Sequence, residues 1–416
     1  MNNNKHWAIF IDNNSNKSHL ITSILNQNPP QGFEDLKTLK GVLFSKIALA
    51  KFIELEDRHD NKVITETTKQ ALKTMSSGEQ KKALLSHILK SKPDYIILDN
   101  PFDNLDVDSQ VDLKDKLYQI CNTISMVQII SRKSDLLPFI NAHFKLEEKK
   151  VLKLTTLKTD NDTLTDTFSS AIPAPIENLV YTDDVLIELK DVNVSYLDKP
   201  VLKNINLIIK KGDFWELKGN NGTGKTTILS MITGENPKGY GQELFIFGTK
   251  KGSGESVWEI KKKIGYFTPS MTDKFTGYHS VENMIISGLN DSIGLYTKPT
   301  EIQLRTAKAW LQLINMWDSR KKLFHDLSMG QKRLIMCARA MIKHPILLIF
   351  DEPTAGLDDK SASLFVQLVN KFSNESDTAI IFVSHRTEPD LTPDYIYHLQ
   401  QTNQGSVGSI KKRVAI

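Results

Sequence analysis

The chain has 416 residues, enough for two or three domains that each bury their own core. Lys plus Arg total 53 and Asp plus Glu 49, and the resulting net charge of +4 is too balanced to mark a nucleic-acid or anionic-membrane surface. A composition of 40% hydrophobic and 25% charged residues excludes a disordered chain, and the longest apolar runs, residues 346–350 and 379–383 among them, fall far short of the roughly 20 residues of a membrane span.

Two cysteines, Cys121 and Cys337, make neither a disulfide framework nor a cysteine metal cluster. The opening Met-Asn-Asn-Asn-Lys-His-Trp lacks the apolar core of a secretory signal. A cytoplasmic multidomain protein is expected.

In chain order, residues 7–11 read as a strand that enters Ile11-Asp-Asn-Asn-Ser-Asn-Lys17-Ser18. Met75-Ser-Ser-Gly-Glu79 follows, then Tyr95-Ile-Ile-Leu-Asp-Asn100, then Gln128-Ile-Ile-Ser-Arg132. Residues 157–170 are rich in Thr, Asp, Asn and Ser, and Ala171-Ile-Pro-Ala-Pro-Ile176 comes next. That composition reads as a semi-extended linker, placed at 156–183.

The same elements then return in the same order. Phe214-Trp-Glu-Leu217 reads as a strand entering Gly219-Asn-Asn-Gly-Thr-Gly-Lys225-Thr226, and residues 227–232 read as the helix that leaves it. Leu327-Ser-Met-Gly-Gln331 echoes residues 75–79, and the strand ending in Asp351-Glu352 echoes 95–100. Ser76 to Ser328 and Asp99 to Asp351 are separated by the same 252 residues. A repeat of this kind means two related domains, 1–155 and 184–416.

The pattern G-x-x-x-x-G-K-[ST] is met in full at 219–226. Its glycines let backbone amides curl round phosphate at a helix N-terminus. The expected nucleotide contacts are Gly219, Asn220, Asn221, Gly222, Thr223, Gly224, Lys225, Thr226 and Thr227. Lys225 brings a point charge to the β and γ phosphates, and the Thr226 hydroxyl faces Mg2+. Asp351, at the C-terminal end of a buried strand, is the second expected Mg2+ ligand. Glu352 is placed to orient or deprotonate the attacking water.

Together the loop at 219–226, Leu-Ser-Met-Gly-Gln at 327–331, the strand at 346–352, Ala-Gly-Leu-Asp at 355–358 and His385 resemble the ABC ATPases over about 230 residues. The resemblance implies an α/β fold of two tandem P-loop nucleotide-binding domains, each with a mainly parallel sheet, an antiparallel layer and a helical subdomain. It implies that Tyr196, in Val-Ser-Tyr, stacks on adenine, that His385 meets the γ-phosphate region, and that Asp358 communicates across a dimer. It implies ATP and Mg2+ as ligands and pairing of the two halves head to tail.

In that pairing one site joins Lys225, Thr226, Asp351, Glu352 and His385 to Ser76, Ser77 and Gly78. The other would rest on Lys17 and Ser18, but Ile11, Asn14 and Asn16 stand where glycines are expected. Asp12 adds a negative charge near phosphate, Asn100 replaces the general base, and Arg132 replaces the switch histidine. With its first strand at residues 7–11, the first half is also expected to lack an adenine-stacking aromatic. The expectation is one hydrolysing site, with the site at Lys17 empty or holding nucleotide passively.

Phe267-Thr-Pro-Ser270 and Val281-Glu-Asn-Met-Ile-Ile-Ser-Gly-Leu-Asn-Asp-Ser-Ile-Gly-Leu-Tyr296 look like the ModF-type tandem ABC group, named for an association with molybdate transport, some of whose relatives are called photorepair proteins. Transporting subunits carry a Gln after the strand that residues 264–267 resemble, and here Thr268-Pro-Ser-Met follows. Three classes stay open. One is an energising subunit for a membrane permease encoded elsewhere, working at the inner face of the plasma membrane. A second is a stand-alone cytoplasmic ATPase acting on a macromolecular or stress-related target. The third is a translation factor of the tandem ABC-F kind, whose long charged linker is not matched. Lys250-Lys251, Lys261-Lys-Lys263 and Lys411-Lys-Arg413 read as solvated faces and give no strong nucleic-acid signal.

Overall fold

The computed structural model describes residues 4–59, 62–65, 70–155, 168–177, 179–275 and 277–413. Residues 156–167 and 178, part of the expected linker, lie outside them. Contacts divide the chain into two units: Met1–Thr163 with Gly356–Asp359, and Leu164–Ala355 with Lys360–Ile416.

The first unit holds one sheet of β1 (His6–Phe10), β2 (Gly41–Phe44), β3 (Tyr95–Asp99), β4 (Ser125–Ile130), β5 (Ala142–Glu147) and β6 (Lys150–Leu154). Their order is β2-β3-β4-β1-β5-β6, parallel except for the β5–β6 pair. Strands buried on both faces read as unbroken apolar runs, as β3 does. Alternation along the strand sends Ile96 and Leu98 to one core and Tyr95 and Ile97 to the other. Helix α1 (Lys17–Leu25) covers the second face through Leu20, Ile21 and Ile24. On the other face lie α2 (Lys46–His59), α3 (Ser77–Lys90) and α4 (Val107–Ile120), with Leu49, Leu84, Leu113 and Leu117 in that core.

The second unit repeats this plan. Its strands are β7 (Val185–Tyr196), β8 (Lys199–Lys210), β9 (Phe214–Gly219), β10 (Glu243–Ile246), β11 (Thr249–Lys250), β12 (Ile264–Phe267), β13 (Leu347–Asp351), β14 (Ala379–Val383), β15 (Tyr395–Gln400) and β16 (Val407–Lys412). The main sheet runs β12-β13-β14-β9-β15-β16, the first unit's order strand for strand, and a second sheet runs β11-β10-β7-β8. Among the described residues that separate antiparallel sheet occurs in the second unit alone. Residues 26–40, which join α1 to β2, hold a single 3-10 turn where the second unit inserts β10 and β11.

Helix α5 (Lys225–Ile232) packs on one face of the main sheet, with Ile228, Leu229 and Ile232 against Leu347 and Ile349. The other face meets α10 (Met329–Met341) and α11 (Asp359–Glu375) through Ile335, Phe365 and Phe372. Short helices α6 (Val257–Lys263), α7 (Pro269–Lys274) and α8 (Val281–Ser287) lead to α9 (Glu301–Leu313), whose Trp310 is fully buried. The described part of the linker belongs to this unit. Phe168 is buried in its core, the Ile172 amide donates to Glu375 Oε2 at 2.8 Å, and His344 Nε2 lies 2.7 Å from the Pro173 carbonyl.

Parallel strands place their C-terminal ends on one edge of the sheet, where ligands bind in open α/β folds. β9 ends at Gly219, β13 at Asp351 and β14 at Val383, so the phosphate loop, the two carboxylates and His385 leave from that edge.

Candidate active site

The loop 219–224 owes its shape to glycine. A Cβ on Gly219 would lie 2.8 Å from the Leu399 carbonyl oxygen, and Gly224 holds φ at 90° against Leu202. Gly224 is also the N-cap of α5, and no side chain caps it. A helix start without a side-chain cap can offer its first amides to an anion. Lys225 is buried and its Nζ donates to the carbonyls of Gly219 at 2.7 Å and Asn220 at 2.9 Å. An ammonium resting on loop carbonyls sits at the loop that would receive a phosphate. Thr223 Oγ1 donates to the Asn220 carbonyl at 2.8 Å and closes the loop, while Thr226 and Gly222 are exposed at its mouth.

Asp351 ends β13 on the face that carries α5. Burial, and then Glu352 beside it, push its carboxyl above the usual carboxylate range, with Tyr266, Lys225 and His385 opposing. Glu352 follows in the left-handed region, φ 53°, which turns its carboxylate to His385 Nε2. A carboxylate, a threonine hydroxyl and a phosphate loop form a hard oxygen donor set that suits Mg2+. The structure therefore brings Lys225, Thr226, Asp351, Glu352 and His385 to one edge of the second unit's sheet. Tyr196 ends β7, 40% exposed, with its hydroxyl accepting from Asn236 Nδ2 at 2.8 Å and Lys238 Nζ 5.6 Å from the ring centroid. A ring left half open in this way can accept a flat ligand on its face.

The first unit's matching loop is closed upon itself. Asp12 Oδ1 accepts from the Asn14 amide and from Ser15 Oγ, each at 2.9 Å. Asn16 caps α1 by accepting from the His19 amide at 3.2 Å. Lys17 Nζ lies 2.9 Å from Asp99 Oδ1, and Ser18 is exposed beside it. Asn100, at φ 44°, repeats the kink of Glu352, but its Oδ1 accepts from the Ser131 amide at 3.0 Å. Groups that would serve phosphate, metal and water thus bond to one another.

The two Ser-x-Gly loops are alike. Ser76 and Ser328 each form a capping box, with Glu79 at the start of α3 and Gln331 at the start of α10. Ser77 opens α3, and Gly78 packs against Ser109 so closely that a Cβ would lie 2.6 Å from its Oγ.

A family model described as ABC transporter matches residues 202–355. The ABC transporter ATP-binding protein ModF of Escherichia coli is 36% identical over 340 residues, covering 78% of this chain and 69% of that one. The chain belongs to the ABC ATPases. An uncharacterized ABC transporter ATP-binding protein of Schizosaccharomyces pombe is 28% identical over 76% of this chain and 66% of its own. The chain thus spans about two thirds of the length of both. The ABCE1 chain in a model of ribosome-bound archaeal Pelota and ABCE1 matches 98% of this chain and 75% of its own, with a TM-score of 0.65 at 14% identity, a likeness of tandem fold.

As an ABC ATPase with a ModF-like tandem arrangement, the protein binds and hydrolyses ATP. Among the described residues no helix is long and apolar enough to cross a membrane.

Sequence reasoning missed two features. One is Tyr266, whose hydroxyl donates to Asp351 Oδ2 at 3.3 Å. A polar ring inside the apolar strand 264–267 was the available signal. The other is the Lys17–Asp99 pair, for which the absence of loop glycines was the only hint. The basic stretches carry partners: Lys250 pairs with Glu243, Lys251 with Glu255 and Lys261 with Glu235.

Proposed function

We propose that the chain is an asymmetric ATPase in which the second half hydrolyses MgATP and the first half serves as its non-hydrolysing partner. The observation that carries this is the contrast of the two lysines. Lys225 rests on carbonyls at an uncapped helix start, whereas Lys17 is bound by a carboxylate beside a capped one.

In this reading the amides of 222–226 and Lys225 hold the β and γ phosphates, and Tyr196 takes the adenine on its ring. Thr226 and Asp351 hold Mg2+, which when bound neutralises charge on the phosphate oxygens. Glu352 receives the proton of the attacking water, and His385 keeps that carboxylate aimed through their contact. The sequence resemblance supports head-to-tail pairing, with Ser76, Ser77 and Gly78 meeting the γ-phosphate of the same nucleotide. Covalent linkage raises the effective concentration of the halves, so one chain can close on ATP and reopen after hydrolysis.

We infer that this cycle energises transport through a separate membrane subunit, a reading supported by the names of the relatives. A second reading, a cytoplasmic switch acting on a macromolecular target, is supported by the Thr-Pro-Ser-Met that stands where transporting subunits carry Gln. A tagged Glu352→Gln chain, held with ATP and recovered from cells, separates them by mass spectrometry. Recovery of a polytopic membrane protein supports transport. Ribosomes, nucleic acid or soluble proteins alone contradict it and support the switch.

A further inference from the structure

Strands β12 and β13 run parallel, with Tyr266 opposite Ile349. Residues two apart on a strand share a face, so the Tyr266 side chain projects on the face of Asp351. Its ring packs with the core beneath α5, and its hydroxyl donates to Asp351 Oδ2 at 3.3 Å. Lys225, which also acts on the Asp351 charge, donates instead to two loop carbonyls.

The first unit supplies the comparison. There Leu43 stands opposite Ile97, two residues before Asp99, in the place that Tyr266 holds. Leucine has no hydroxyl to offer, and Asp99 is taken by Lys17 at 2.9 Å. Where the strand carries tyrosine, the carboxylate takes the tyrosine hydroxyl and the lysine takes loop carbonyls. Where it carries leucine, they close on each other.

We propose that Tyr266 is a positioning residue for the Mg2+ ligand Asp351. Its hydroxyl holds Oδ2, keeps the carboxylate from collapsing onto Lys225, and leaves Oδ1 for the cation and its water. The proposal rests on the reading of Asp351 as the metal carboxylate. Hydrogen-bond partners of metal ligands commonly matter by about 10- to 100-fold in metal affinity.

The test is binding of a fluorescent ATP analogue to the full-length Glu352→Gln chain, titrated with Mg2+ and repeated in chelator. Tyr266→Phe, which removes one oxygen atom, is expected to raise the half-saturating Mg2+ about tenfold while Mg2+-free binding stays within about twofold. Tyr266→Leu, which copies Leu43, is expected to do the same. In an Asp351→Asn background the effect of Tyr266→Phe should vanish, because the coupled partner is gone. Thermal unfolding of each variant without ligand separates loss of fold from loss of positioning. Unchanged Mg2+ dependence in Tyr266→Phe, or equal weakening with and without Mg2+ in a folded variant, overturns the proposal. An Asp351→Asn chain that keeps normal Mg2+ dependence overturns instead the assignment of Asp351 as metal carboxylate.

Discussion

Lys17 Nζ sits 2.9 Å from Asp99 Oδ1, an ion pair in which the aspartate side chain is 6% exposed and the lysine 34%. The lysine and the carboxylate that match Lys225 and Asp351 in the repeat are each other's partner. Removing the lysine leaves a buried carboxylate uncompensated. Lys17→Met is expected to cost about 1–3 kcal/mol of the first unit's stability, below the roughly 3–5 kcal/mol of fully buried pairs because the lysine is partly solvated. ATP turnover should change less than about twofold. Lys225→Met should do the reverse, ending nucleotide binding with little loss of stability. Urea unfolding and ATPase assays on both variants check this.

Nucleotide stoichiometry follows from the same contrast. Asp12 and Asn16 already accept the Asn14 and His19 amides in the first unit, so an anion must displace them. Equilibrium dialysis of the Glu352→Gln chain with ATP should saturate at one nucleotide per chain. Two per chain would show that the first loop opens.

Asp351 has a pH signature. Burial raises its carboxyl above the unfolded value, so the folded chain holds the proton to higher pH. Folding stability from this group is then greatest below the unfolded value, falls as pH rises through the raised one, and stays reduced at neutrality. Asp351→Asn removes that penalty. The apo variant should melt at a higher temperature than the parent at pH 7, and the difference should shrink as pH approaches 4. A variant that melts lower at pH 7 would contradict the cause assigned to the shift.

The two capping serines separate structure from chemistry. Ser76→Ala and Ser328→Ala each remove a helix cap, worth about 1 kcal/mol. In the proposed head-to-tail pairing Ser76, and not Ser328, would meet the nucleotide held at Lys225. Turnover should fall about tenfold or more in Ser76→Ala and stay near the parent in Ser328→Ala. Equal turnover in the two would argue against that pairing.

Much of this was legible in the sequence. The run Tyr95-Ile-Ile-Leu-Asp and its partner at 347–351 read as doubly buried parallel strands, and the structure gives them matching neighbours in two sheets of one topology. The pattern at 219–226 asked for glycine at 219 and 224, and the backbone there leaves no room for a Cβ. What stayed hidden depends on register between distant segments. Tyr266 meets Asp351 across 85 residues, and Lys17 meets Asp99 across 82. Strand alternation gives the face of each residue but not which strands are neighbours. The separate antiparallel sheet, expected in both halves, is described only in the second, and residues 26–40 hold no counterpart of β10 and β11.

The central claim is that one of two related sites hydrolyses ATP, and Glu352 and Asn100 occupy the same left-handed kink after matching strands. Steady-state ATPase rates of Glu352→Gln and Asn100→Ala, measured side by side on folded chains, test it most directly. Glu352→Gln should lose about a hundredfold or more, the scale of a general base, and Asn100→Ala should keep the parental rate. Comparable losses in both would contradict the asymmetry.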